Sequence, residues 1–128
     1  KRVETSSGIY IGKTVVIATG ANPRELGLAK EKELIGHGVA YCASCDGMFY
    51  KDKIVVVVGG GNSAVSDAVL LSRIAKKVII VHRRDTLRAT KIYHDQLMKT
   101  ENIEFRWNNT DILWQVKTLR RVFRVFML

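Results

Sequence analysis

The amino-acid sequence predicts an α/β chain built on one parallel strand–helix–strand unit, Lys53–Arg84, and three observations carry that prediction. Ile54-Val55-Val56-Val57-Val58 is an unbroken β-branched run, suited to a strand buried on both faces of a parallel sheet. After the glycines at 59, 60 and 61, Ala64, Ala68, Leu71 and Ala75 recur at helical spacing and mark one apolar helix face. A second β-branched run, Val78-Ile79-Ile80-Val81, closes the unit.

The turn reads Gly59-x-Gly61-x-x-Ala64, with Gly60, Asn62 and Ser63 between, which is the dinucleotide fingerprint with alanine in its third position. Gly59 allows a tight turn, Gly61 lets the backbone approach a pyrophosphate, and Ala64 lets the helix pack close to the strand. Free N–H groups and the positive dipole end of the helix would then face the anion. This context, strand before and helix after, raises the motif above a ligand-free glycine turn. The unit is therefore expected to be Rossmann-like. NAD-binding versions place Asp or Glu about 20 residues beyond the glycines, at the ribose 2′-hydroxyl. Here that strand end carries His82-Arg83-Arg84, with Arg88 beyond. Guanidiniums suit a 2′-phosphate, so the expected cofactor is NADPH over NADH. A solvated basic strand end is the plain alternative.

At 128 residues the chain has the length of one domain with a modest core. One proline and ten glycines argue against disorder. No run is long enough to span a membrane, and no charged-then-apolar signal opens the chain. With only two cysteines, these features point to the cytoplasm. The net charge of +9 admits a nucleic-acid or anionic-membrane surface, but part of it is the phosphate-site arginines and part the C-terminal tail. With no RNA-binding aromatic motif and no zinc-finger spacing, neither nucleic acid nor membrane is expected as a partner.

Taken in order, Gly8–Gly12 reads as part of a hairpin and Lys13–Ile17 as a strand ending at Ala18-Thr19-Gly20-Ala21. Asn22-Pro23 breaks the structure. Leu26–Gly38 is polar and glycine-punctuated, a linker. Beyond Arg84, Asp85 is placed to cap a helix over Leu87–Lys99, and Ile103–Trp107 alternates like a third strand. Val116, Leu119, Val122, Phe123 and Phe126 form an apolar stripe at helical spacing among Lys117, Arg120, Arg121 and Arg124. That tail is either a basic amphipathic helix or sequence with no place in this fold.

Cys42-Ala43-Ser44-Cys45 is the second chemical feature. Two thiols at this spacing can close a small disulfide, and the arrangement often depresses one thiol's pKa. Half a zinc site and two inert buried cysteines are the alternatives, the first lacking a second ligand pair. No metal is expected. Asp46, next to Cys45, can move the proton that thiol–disulfide exchange must take up or release, or can simply cap a turn.

Four stretches then converge: Ala18-Thr19-Gly20-Ala21-x-Pro23-Arg24, Gly38-Val39-x-Tyr41-Cys42-Ala43-x-Cys45-Asp46-Gly47, Gly59-Gly60-Gly61-Asn62-Ser63-Ala64, and His82-Arg83-Arg84-Asp85-x-x-Arg88-Ala89. In order and spacing, over roughly residues 3–109, they resemble the low-molecular-weight thioredoxin reductases. The resemblance implies a flavoprotein that passes electrons from NADPH through FAD to a dithiol and on to thioredoxin. It implies Cys45 facing the flavin, Cys42 attacking thioredoxin, and Asp46 as general acid. By the same likeness Arg83, Arg84 and Arg88 hold the 2′-phosphate, and the Thr19-Gly20 turn is the exit of the FAD domain. It leaves room for a homodimer of the full-length protein. The implied domains are residues 1–30, a strand remnant of the FAD half-domain; 31–40, a linker; 41–110, the NADPH domain with its dithiol; and 111–128, an atypical basic tail. The family's N-terminal FAD fingerprint is absent, and a basic tail replaces its acidic hairpin after Asn109. The resemblance thus implies an internal, truncated fragment with a shifted reading frame near its end, not competent for full turnover alone. Three rivals stand beside this reading: an NADPH-binding module without redox turnover; a related flavoprotein disulfide reductase or dithiol oxidase serving another partner; and, last, a basic nucleic-acid or membrane binder led by the tail.

Overall fold

The computed structural model describes residues 1–20 and 22–110, and the backbone of 122–127. Two strands, β1 (Arg2–Thr5) and β2 (Gly8–Ile11), pair antiparallel as the expected hairpin and are exposed along their length. Lys13–Ile17 is not a strand. It runs on without a pairing partner among the described residues, and Val16 and Ile17 are 86% and 85% exposed. A strand needs a neighbour for its N–H and C=O groups, and β propensity alone does not supply one.

The stretch read as a linker is partly built into the fold. Glu31 is buried, a short 3₁₀ turn covers Lys32–Leu34, and β3 (Val39–Ala40) is a buried strand. The dithiol segment forms one turn of helix, α1 (Ala43–Asp46), followed by a 3₁₀ turn at Gly47–Tyr50.

The central unit follows as expected: β4 (Ile54–Val58), α2 (Asn62–Ser72) and β5 (Lys77–Val81). β4 and β5 pair parallel from Ile54 opposite Lys77 to Val58 opposite Val81. Val55, Val56, Val57, Val78, Ile79 and Ile80 are wholly buried, as a sheet covered on both faces requires. Ala64, Ala68 and Leu71 of α2, with Ala75 just beyond it, lie in the same core.

The helix expected over Leu87–Lys99 is shorter, α3 (Lys91–Met98), and Thr90 stands at its N-cap in place of Asp85. Arg88 and Ala89 cannot join it, because their N–H groups both donate to the Gly60 carbonyl, at 2.8 and 3.0 Å. β6 (Ile103–Arg106) then pairs parallel with β5, the expected third strand.

Over the part that is described, residues 122–127, the tail is neither of the two things its pattern suggested. β7 (Val122–Met127) is a strand, parallel to β3 on one side and to β4 on the other, giving the order β3-β7-β4-β5-β6. Valine and phenylalanine at these positions favour a strand as readily as a helical stripe, and the slot beside β4 decides between them. Val116, Lys117, Leu119, Arg120 and Arg121 lie outside the described residues.

Candidate functional site

The glycine turn opens a cleft of about 540 Å³ at the C-terminal ends of β4 and β5, where an α/β sheet places its ligands. Gly59, Gly60, Gly61, Asn62, Ser63, Ala64, His82, Arg83 and Arg88 all line it. Thus most of the residues read from the sequence come together. Arg84, Thr19 and Gly20 are not in that lining; the last two sit on an exposed stretch.

Each glycine has a physical reason. Gly59 has φ +140°, a conformation that side chains oppose, and its N–H donates to the Val81 carbonyl. Gly60 is required for a reason that its position between the fingerprint glycines does not announce. A Cβ there would fall 2.6 Å from Cε1 and Nε2 of His82 and 2.7 Å from Cδ2. Gly61 caps α2 without any side-chain bond, so the first N–H groups of the helix remain available to an anion. A Cβ at Gly61 would lie 3.7 Å from Arg88 Nη2, which places that guanidinium over the turn.

Arg88 is held there by its neighbours. Besides the two bonds to Gly60, the Asn62 carboxamide oxygen accepts from the Thr90 N–H at 2.9 Å. The Asn62 side chain therefore fastens the Arg84–Thr90 loop to the turn. His82 is 7% exposed, and its ring lies edge-on to Trp107. Its Nε2 has no hydrogen-bond partner among the described residues. Burial lowers its pKa below the usual histidine value; Arg84 adds to this, a backbone bond to Thr86 opposes it, and Arg83 and Arg88 push the same way.

Sequence reasoning missed the opposite wall, Arg24, Glu25 and Leu26. A buried carboxylate sets that strap in place. Glu31 accepts from the N–H groups of Leu26 and Leu28, each at 3.0 Å, and from the Tyr41 hydroxyl at 2.6 Å. Burial works to raise the Glu31 pKa, but these bonds together hold it below the ordinary value. Burial, the bond to Glu31 and its charge push Tyr41 up to about 12. The available signal was a glutamate ten residues before a tyrosine adjoining the first cysteine, which names no partner.

Cys42 and Cys45 are joined in a disulfide with their Cα atoms 5.2 Å apart, so they are not two separate buried thiols. No cluster of metal-ligating side chains occurs among the described residues. Cys42 stands at the N-cap of α1, where its Sγ accepts from the Cys45 N–H at 3.1 Å. The Ser44 hydroxyl lies 3.3 Å from the same sulfur and, since a disulfide has no S–H, it is the donor. Cys45 is exposed, while Cys42 and Asp46 are half-buried. α1 packs against α2, the helix whose N-terminus opens the cleft.

A parallel sheet with a glycine-lined, arginine-flanked cleft and a disulfide packed on the adjoining helix defines a class of protein. The chain belongs to the pyridine nucleotide-disulphide oxidoreductases, which residues 2–112 match. Within that family it is similar to thioredoxin reductases. It is 54% identical over 110 residues to the thioredoxin reductase of Listeria innocua, a match covering 86% of this chain and 34% of that protein. The solved thioredoxin reductase of Lactococcus lactis, in its FR conformation, aligns at TM-score 0.70 and 44% identity over 84% of this chain and 35% of its own. That of Streptococcus pyogenes MGAS5005 aligns at TM-score 0.67 and 48% identity over 84% and 35%. The chain thus spans about a third of the length of the relatives it matches.

Proposed function

We propose that residues 41–110 act as the NADPH-binding and dithiol domain of a cytoplasmic thioredoxin-disulfide reductase, with residues 1–30 as part of its FAD-binding half-domain and 31–40 joining the two. The observation that carries this reading is the Cys42–Cys45 disulfide on α1, packed against the helix that begins at the nucleotide cleft.

The cleft suits NADPH. The N–H groups at Asn62–Ala64 and the missing side chain of Gly61 take the pyrophosphate, and Arg83 and Arg88 meet the 2′-phosphate, with Arg84 adding positive charge behind them. Bound there, NADPH supplies a hydride, that is, two electrons and a proton. The family implies FAD as well. Thr19 and Gly20 stand outside the cleft lining, so no step on this chain is assigned to a flavin.

The dithiol end of the reaction is carried by the chain's own atoms. The reduced Cys42 thiolate attacks one sulfur of the partner's disulfide and releases the other as a thiolate. Cys45 then attacks the mixed disulfide, closes Cys42–Cys45, and releases the partner fully reduced. Two electrons leave this chain and two protons follow them, one through Asp46, beside Cys45. Donation to the Cys42 sulfur by Ser44 and the Cys45 N–H supports Cys42 as the attacking thiolate.

The test mixes the pre-reduced chain, freed of reductant, with oxidised thioredoxin and follows both partners by alkylation and mass spectrometry. Stoichiometric reduction of thioredoxin with closure of Cys42–Cys45 is expected. No transfer, with NADPH still bound, would leave a nucleotide-binding module in its place.

A further inference from the structure

Asp67 belongs to no motif, yet its side chain hydrogen-bonds the nucleotide helix to the dithiol turn. Its Oδ2 accepts from the Ala43 N–H at 3.3 Å, across 24 residues of sequence. Ala43 is the residue directly after Cys42 and opens α1. On the proposed dithiol reading, we infer that Asp67 is a positioning residue that sets the reactivity of Cys42. Its carboxylate anchors the first N–H of the dithiol turn and, by its charge, holds reduced Cys42 toward the thiol form.

Three observations support this. First, Asp67 is the only ionisable residue of α2. The 3₁₀ turn Gly47–Tyr50, which also packs on α1, brings no charged side chain, and α1 itself contributes Asp46. Asp67 is therefore the one charge that these two neighbouring elements direct at the dithiol turn. Second, it stands on a helix that buries Ala64, Val65, Ala68 and Leu71, and burial keeps its carboxyl above the usual aspartate range. A half-buried carboxylate is held in such a place by the bond it makes. Third, the Cys42 sulfur already receives the Cys45 N–H and the Ser44 hydroxyl, which favour a thiolate. A second anion at the neighbouring peptide opposes them, because a like charge close by disfavours ionisation. The balance sets how much thiolate reduced Cys42 presents.

The experiment isolates Cys42 in the full chain with Cys45→Ser, which leaves a single thiol, and measures its rate of reaction with iodoacetamide from pH 6 to 10. Asp67→Asn keeps an oxygen to accept from the Ala43 N–H and removes only the charge. It is expected to shift the midpoint of the rate profile downward and to raise the rate below that midpoint roughly 3- to 10-fold, the effect of about half to one pH unit. Asp67→Glu keeps the charge and should return the profile of the Cys45→Ser parent. Far-UV circular dichroism establishes that each variant is folded. An Asp67→Asn profile superimposable on that of the parent would overturn the inference. So would an equal shift in the glutamate variant, which would make the effect one of shape and not of charge. The dithiol reading is checked separately on the wild-type chain. If Cys42 and Cys45 fail to re-form their disulfide after reduction, that reading falls whatever Asp67 does.

Discussion

Substituting Gly60 separates two kinds of glycine in one turn. An alanine Cβ at 60 would sit 2.6 Å from two atoms of the His82 ring, where carbon contacts settle near 3.5–4.0 Å. The ring has little room to retreat. His82 is buried, its N–H donates to the Arg106 carbonyl, and its own carbonyl accepts from Asn109. Overpacking of this kind costs about 1–3 kcal/mol. In a chain of this length each kcal/mol lowers the melting temperature by roughly 3–6 °C. Gly61→Ala places its Cβ at an ordinary 3.7 Å from Arg88, so stability should hold, while on the proposed function NADPH binding should fail, because the methyl would occupy the pyrophosphate path. The decisive measurement is a double-mutant cycle by thermal and urea unfolding of Gly60→Ala, His82→Ala and the pair. Removing the ring removes the clash, so the double variant should be more stable than the sum of the single losses by about 1–3 kcal/mol. Additive losses, or an unchanged melting temperature in Gly60→Ala, would refute the steric account.

Two further outcomes are expected. Arg83→Ala and Arg88→Ala should each weaken NADPH by about 10- to 100-fold, with NADH nearly unaffected, since one charge-assisted bond is worth roughly 1.5–3 kcal/mol and these side chains are exposed; Arg84→Ala, outside the cleft lining, should cost less, and calorimetric titration of both nucleotides checks all three. Glu31→Gln should destabilise the chain by about 1–3 kcal/mol, because one amide group cannot accept from both the Leu26 and Leu28 N–H groups. The folded pKa of Glu31 lies below its ordinary 4.5, so its contribution is complete above that value and is lost as the pH falls through the folded pKa. The variant should lose this acid limb in unfolding curves, and its Tyr41 should ionise below the wild-type value of about 12 in ultraviolet titration.

What was legible in the sequence was local. The β-branched runs, the small residues of α2 and the Cys-x-x-Cys spacing each state their structure within a dozen residues, and all appear where expected. What was hidden depends on partners far along the chain. Gly60 is dictated by a ring 22 positions later, and Asp67 and Glu31 act on backbone and hydroxyl groups that no spacing rule links to them. The Leu87–Lys99 helix was overread for the same reason, since the Gly60 carbonyl takes the N–H groups of Arg88 and Ala89. Val15-Val16-Ile17 shows the converse: strong strand propensity with no partner among the described residues yields no strand.

The position of β7 connects these local successes to the site. β4 ends in the glycine turn, and β3 ends at Ala40, two residues before Cys42. The two strands do not pair with each other; β7 lies between them, with Val125 opposite Val39 on one side and Val56 on the other. A strand there satisfies the N–H and C=O groups along the free edge of β4, which would otherwise be an exposed and reactive edge. It also fixes the register of β3 against β4, and so the height of the dithiol relative to the nucleotide cleft. Besides the packing of α1 on α2, β7 through the sheet and the Asp67–Ala43 bond through the helices tie the dithiol to the nucleotide cleft. β7 sets where Cys42 stands, while the Asp67–Ala43 bond both anchors the turn and sets how Cys42 ionises, so a change in β7 should move the position of Cys42, whereas Asp67→Asn, which keeps an acceptor for the Ala43 N–H, should move only its ionisation.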